Sequence, residues 1–151
     1  MRRVGRTVVV CVLALLACGG CGSRTPPAQA CMEAQSADVL QALTHAPRDV
    51  ALADGTPLSQ CVRRTIDDSR LQALGATLTA AADELARQMR SSDGAAFQLG
   101  FLIGAVDRGA GQAAGLQEEL ANRIAGTAAG LDGGPRRAAL LRGRAAGQRG
   151  G

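Results

Sequence analysis

The 151-residue chain has no tryptophan, no tyrosine and only two phenylalanines, Phe97 and Phe101. Strands draw on aromatic and β-branched side chains, so this shortage argues against an all-β domain, while the abundance of Ala, Leu, Arg and Gln favours helix. Lysine is absent too: all 17 basic residues are arginine, which fits a GC-rich genome better than selection for bidentate phosphate recognition. Histidine occurs once, at His45, so a hydrolytic triad would have to draw its base from that one residue, and a histidine-rich metal site lacks material. No apolar run reaches the ~20 residues a membrane-spanning helix needs.

The formal charge of +4 is unevenly placed. Arg2, Arg3 and Arg6 crowd one end, and Arg136, Arg137, Arg142, Arg144 and Arg149 the other. Between residues 24 and 132 stand nine arginines against thirteen acids, so the body is net acidic and a nucleic-acid partner is not expected.

Residues 1–17 follow the order of an export signal: a basic start, an apolar run over 8–16, then small residues. That run ends in Leu15-Leu16-Ala17-Cys18, which resembles the lipobox of bacterial lipoproteins, although Leu16 is bulkier than the usual residue there. The resemblance implies acylation of Cys18 and anchoring on the extracytoplasmic face of the cell membrane, the partner being the membrane itself. Cys21, after Gly19-Gly20, is the alternative lipid site, and Ala28-Gln29-Ala30 offers a cleavage point for free secretion. Cys11 is disfavoured by Val10 before it. The chain thus divides into a signal peptide (1–17), an anchored spacer stiffened by Pro26-Pro27 (18–30), a domain (31–132) and a basic tail (133–151).

Cys31 and Cys61 fall in the domain, and in an exported chain they are expected to form a disulfide, since no C-x-x-C spacing or histidine cluster suggests metal. If Cys18 takes the lipid, Cys21 is left as an odd thiol, which favours the other register.

Hydrophobic periodicity predicts an all-α bundle of about four helices with one disulfide. The first covers 32–44, with Val39, Leu40 and Leu43 inward. An irregular connection with a turn at Asp54-Gly55 leads to Thr56-Pro57, an N-cap followed by proline at the first helical position. From there Leu58, Cys61, Val62 and Ile66, then Leu71, Leu74, Leu78, Ala81, Leu85 and Met89, mark one long helix over 57–90 or two meeting near Asp67-Asp68. Ser91-Ser92-Asp93-Gly94 interrupts. A helix over 95–108 is apolar on nearly every side and therefore central, and Gly100 and Gly104, one turn apart, invite close approach of another backbone. A last helix covers 112–129, with Leu116, Leu120 and Ile124 inward, and Leu131 continues its apolar series. The tail after Gly133-Gly134-Pro135 reads as disordered, its five arginines able to touch anionic headgroups.

Asp54-Gly55-Thr56-Pro57-Leu58-Ser59-Gln60-Cys61, with Leu99-Gly100-Phe101-Leu102-Ile103-Gly104-Ala105, is similar to uncharacterised exported helical proteins of high-GC Gram-positive bacteria. The likeness implies the helical fold and no activity.

Little else bears chemistry. His45 sits at a helix end, a lone haem ligand at most. Asp67-Asp68, Asp83-Glu84 and Glu118-Glu119 are sequence neighbours, which point about 100° apart on a helix and form no facing dyad. Gly109-Ala110-Gly111-Gln112-Ala113-Ala114-Gly115 has the wrong spacing for a dinucleotide loop and no βαβ pattern around it. The expectation is a non-enzymatic binding or envelope-interaction module without cofactor or metal, the alternative being a carrier of lipid or haem around Phe97 and Phe101.

Overall fold

A computed structural model describes residues 27–111, 115–130, 134 and 136–151. The export signal, Cys11, Cys18, Cys21, Pro26 and Leu131 lie outside the described residues, as do parts of the 109–115 and 133–135 glycine segments.

The described residues contain α-helices and no strand: α1 (Gln29–Glu33), α2 (Ser36–Leu43), α3 (Leu58–Arg64), α4 (Asp68–Gln88), α5 (Asp93–Ala110), α6 (Leu116–Gly126) and α7 (Arg137–Gly150). The all-α expectation holds, but with more and shorter helices than four. The first expected helix is two, because Gln35 adopts extended backbone and caps α2. Its side chain accepts from the third residue of the helix while Asp38 accepts the Gln35 N–H at 2.8 Å, a reciprocal capping box built from Gln and Asp.

The stretch over 57–90 is also two helices. Asp67 caps α4, accepting the Arg70 N–H at 2.9 Å, and Thr65 turns inward, fully buried, with its hydroxyl donating to the Cys61 carbonyl at 2.7 Å. Helix α3 therefore stops at Arg64, and Ile66, expected on the buried stripe, lies 57% exposed because the 3.6-residue period ends before it. Pro57, rather than Thr56, occupies the N-cap, and no side chain caps there. Ser92 does cap α5, its hydroxyl accepting the Ala95 N–H at 3.1 Å.

The connection after α2 contributes more than expected. Val50 and Leu52 are buried, and the chain reverses between Leu52 and Thr56, with the Leu52 N–H donating to the Thr56 carbonyl at 3.0 Å. Gly55 supplies the positive φ (81°) that this tight turn requires. Asp54 accepts the Thr56 N–H at 2.9 Å, and that bond holds its carboxyl below the usual range.

The core is one cluster running from Cys31 through the inner stripe of α4 to α5. As expected, α5 is central: Leu99, Phe101, Leu102, Ala105 and Val106 are fully buried. It packs against α3, α4, α6 and, above all, α7. That last contact corrects the sequence reading most sharply, since residues 137–150 were expected to be disordered and instead form a helix that seats almost wholly on α5.

The seating explains why. A Cβ placed on Gly100 would overlap the Leu140 carbonyl, and one on Gly104 the Arg144 carbonyl. Reciprocally, a Cβ on Gly143 would overlap the Phe97 carbonyl, and one on Gly147 the Phe101 carbonyl. Both helices carry glycines four apart, run parallel, and are related by a local pseudo-twofold axis along the seam. Hydropathy cannot see such a contact, because what makes it is missing side chains. The backbone that Gly100 and Gly104 invite belongs to the chain's own tail.

Candidate functional site

Cys31 and Cys61, thirty residues apart, form the expected disulfide, with their Cα atoms 5.4 Å apart. Both are buried, Cys31 in α1 and Cys61 one turn into α3. The bond ties the point where the described chain begins to the first two turns of α3. Two residues earlier on α3, buried Ser59 donates its hydroxyl to the Gly151 carbonyl. Gly109 of α5 presses on the same turn, where a Cβ would collide with the Ser59 carbonyl and the Val62 side chain. The start of α3 thus joins the beginning of the domain to the far end of α7.

Candidate reactive groups do not converge. His45 is exposed in the turn after α2. Asp67 is occupied as a helix cap, its carboxyl lowered by the Ser69 hydroxyl and the Arg70 N–H. Glu84 accepts from Gln88 and pairs with Arg87 one turn on, and these bonds lower it likewise. Glu119 lies 3.8 Å from Arg123 on the outer face of α6. Among the described residues no three or more His, Cys, Asp or Glu side chains gather as a metal site would need, and no described helix is long and apolar enough to cross a membrane. Of the glycine segment at 109–115, Gly109 is packed within α5 and Gly111, at φ 59°, closes that helix.

Two surface depressions are lined by described residues. A cleft of about 290 Å³ lies beside the disulfide, lined by Ala30, Glu33, Ala34, Asp38, Leu52 and Ala53. Its two carboxylates already serve the backbone and a neighbour: Glu33 accepts from Gln29 at 2.6 Å and Asp38 completes the capping box. Both carboxylates thus already have hydrogen-bond partners within their own segment. A groove between α4 and α6, floored by Leu71, Gly75 and Leu120, encloses only about 40 Å³, far below the several hundred Å³ of a small-molecule pocket.

The basic tail is where structure adds a site. Helix α7 carries arginine and no acid, and folding sorts those arginines. Arg144 makes a two-pronged bond to Asp107 of α5 (Nε at 3.0 Å, Nη2 at 2.7 Å). Arg136 Nε lies 3.2 Å from Asp93, near enough for charge attraction although out of line for a hydrogen bond. Arg137, Arg142 and Arg149 are exposed, and among the described residues none has an acidic partner. Between them Leu141 stands half exposed with Ala138. Arg108, at the end of α5, joins this face by donating to the Arg149 carbonyl at the C-terminal end of α7, where a cation also complements both helix dipoles.

Sequence reasoning named the tail arginines but neither sorted them nor included Arg108. The available signal was the Gly143, Gly147 spacing, which repeats that of Gly100 and Gly104 and fixes which face of α7 turns inward. Comparison with protein-family models, with curated proteins and with solved structures finds no match for this chain.

Proposed function

We propose that the protein is a lipoprotein held on the extracytoplasmic face of the cell membrane by acylation at Cys18, with Cys21 as the alternative, and that its helical domain is a non-catalytic binding or envelope-interaction module. The observation that carries this reading is the basic, apolar and small-residue series ending at Ala17-Cys18. The Cys31–Cys61 bridge supports it, since structural disulfides persist mainly outside the reducing cytosol. The dispersal of acids and the single exposed histidine support a module without chemistry of its own. The carrier alternative has less support, since Phe101 is fully buried and α7 occupies the glycine face beside it.

The decisive measurement is intact mass and N-terminal analysis of protein extracted from the membranes of an expressing cell. A chain beginning at Cys18 with added acyl mass is the expected result, and Cys18→Ala moves the protein out of the membrane fraction. An acylated chain beginning at Cys21 transfers the assignment to the other register. A chain beginning at Cys31 without acyl mass overturns the reading in favour of free secretion.

A further inference from the structure

We infer that the outer face of α7, formed by Arg137, Leu141, Arg142 and Arg149 with Arg108 beside them, docks the domain on an anionic lipid surface. The inference rests on the lipoprotein reading for its setting, and on three observations of the fold for its content.

The first is charge sorting. Arg136 and Arg144 are held against α5 by Asp93 and Asp107, so the acids nearest α7 are already engaged and the outward arginines form a face of one sign. Helix α7 packs chiefly on α5, and among the described residues no acid pairs with Arg137, Arg142 or Arg149. The second is shape. Arg142 and Arg149 are seven residues apart and share one flank, Arg137 holds the other, and Leu141 and Ala138 lie between. Arginines flanking a short apolar strip suit a helix lying in a headgroup layer, with one leucine entering and the cations meeting phosphates. The third is position. The disulfide and the Ser59 hydrogen bond bring the start of the domain and the end of α7 to the same turns of α3. A tether leaving before α1 therefore starts at the end of the molecule where Arg108 and Arg149 lie. A spacer of about ten residues, at no more than ~3.5 Å each, keeps that end within reach of the bilayer. The body between is net acidic and is repelled by the same surface, so the domain stands with α7 toward the lipid.

The absence of tryptophan and tyrosine gives a direct test. In the full chain with Cys18→Ser and Cys21→Ser, which removes any acyl group, Leu141→Trp supplies the only indole, at a half-exposed position outside the core. Its emission is expected to shift blue on vesicles containing phosphatidylglycerol, to stay unshifted on phosphatidylcholine alone, and to return on raising salt. Adding Arg137→Gln, Arg142→Gln and Arg149→Gln should weaken partitioning about a hundredfold. Should Leu141→Trp disturb the helix, as read by far-ultraviolet circular dichroism, Ala138→Trp reports from the same exposed strip. No shift on anionic vesicles with helicity intact overturns the proposal; so does an equal shift on neutral vesicles, or on double-stranded DNA, which would mark a polyanion site. Acyl mass on the unsubstituted chain reads the tether and indole emission reads α7, so either conclusion can fail while the other stands.

Discussion

The two ends of this domain are fastened to its centre by opposite means. At the N-terminal end a covalent bond joins α1 to α3; at the C-terminal end α7 is joined to α5 by four glycines whose missing side chains let carbonyl oxygens take their place. The disulfide acts largely by restricting the unfolded chain, so its neighbours need only permit the geometry. The glycine seam acts entirely in the folded state, through close contact along two helix faces, and a single added carbon destroys it. A staple of the first kind shows in a sequence as two residues. One of the second kind shows only as a spacing, and only when both halves are read together.

Removing the staple should produce the largest effect. Cys31→Ser with Cys61→Ser opens a loop of thirty residues and is expected to lower stability by roughly 3–4 kcal/mol in urea unfolding. Reduction of the unsubstituted protein should do the same. A loss under about 1 kcal/mol would mean that core contacts alone hold α1 on α3.

Breaking the seam comes next. Gly104→Leu places a branched side chain against the Arg144 carbonyl and the Gln148 N–H, backbone that cannot rotate away. The expected cost is about 3 kcal/mol, and limited trypsin digestion should then cut first at Arg137, Arg142 or Arg149 while α4 stays protected. Gly126→Leu is the control, because a Cβ there meets nothing within 4 Å. Since leucine is the better helix former at either site, equal damage from both would show that added apolar bulk, and not the seam, decides. Ser59→Ala lies between the two systems: it deletes the hydroxyl that holds Gly151 and should cost about 1 kcal/mol, seen as faster amide exchange at Gly147 and Gly151 with the disulfide intact.

These contrasts also explain how much could be read beforehand. The stripe of α4 and the all-round burial of α5 were plain, because Leu71 to Met89 and Phe97 to Val106 are patterns of large apolar side chains. The disulfide followed from two cysteines left over after the lipobox. Helix α7 was hidden because its buried side is Ala139, Leu140, Gly143 and Gly147, which hydropathy scores as a polar tail. The break between α1 and α2 was hidden because Gln35 and Asp38 do the capping usually signalled by Ser or Thr with Glu. Val50 and Leu52 alternate with period two inside a stretch with no regular element, so their burial had no helical pattern to reveal it. The outward arginine face became definable only once the glycines had fixed the inward one.

Acid, with the smallest expected effect, separates the α4 cap from the seam. Asp54, Asp67 and Glu84 are held below the usual carboxylate range chiefly by hydrogen bonds to Thr56, Ser69 and Gln88 respectively. A carboxyl whose folded value lies below its unfolded one stabilises fully above the unfolded value, near pH 4, and loses that contribution as pH falls through the folded value. All three lie in the 52–56 turn, at the α4 cap or in α4, whereas the four glycines of the seam and the carbonyls they face carry no carboxyl group. Lowering the pH through the carboxylate range should therefore reduce amide protection, corrected for intrinsic rates, at Arg70 and Leu71 beside the Asp67 cap before it does so at Gly104 and Ala105. The bond that is gone first is the one from the Arg70 N–H to a carboxylate that has taken up a proton. If Gly104 lost protection in step with Arg70, the seam and the α4 cap would have to be treated as one cooperative unit.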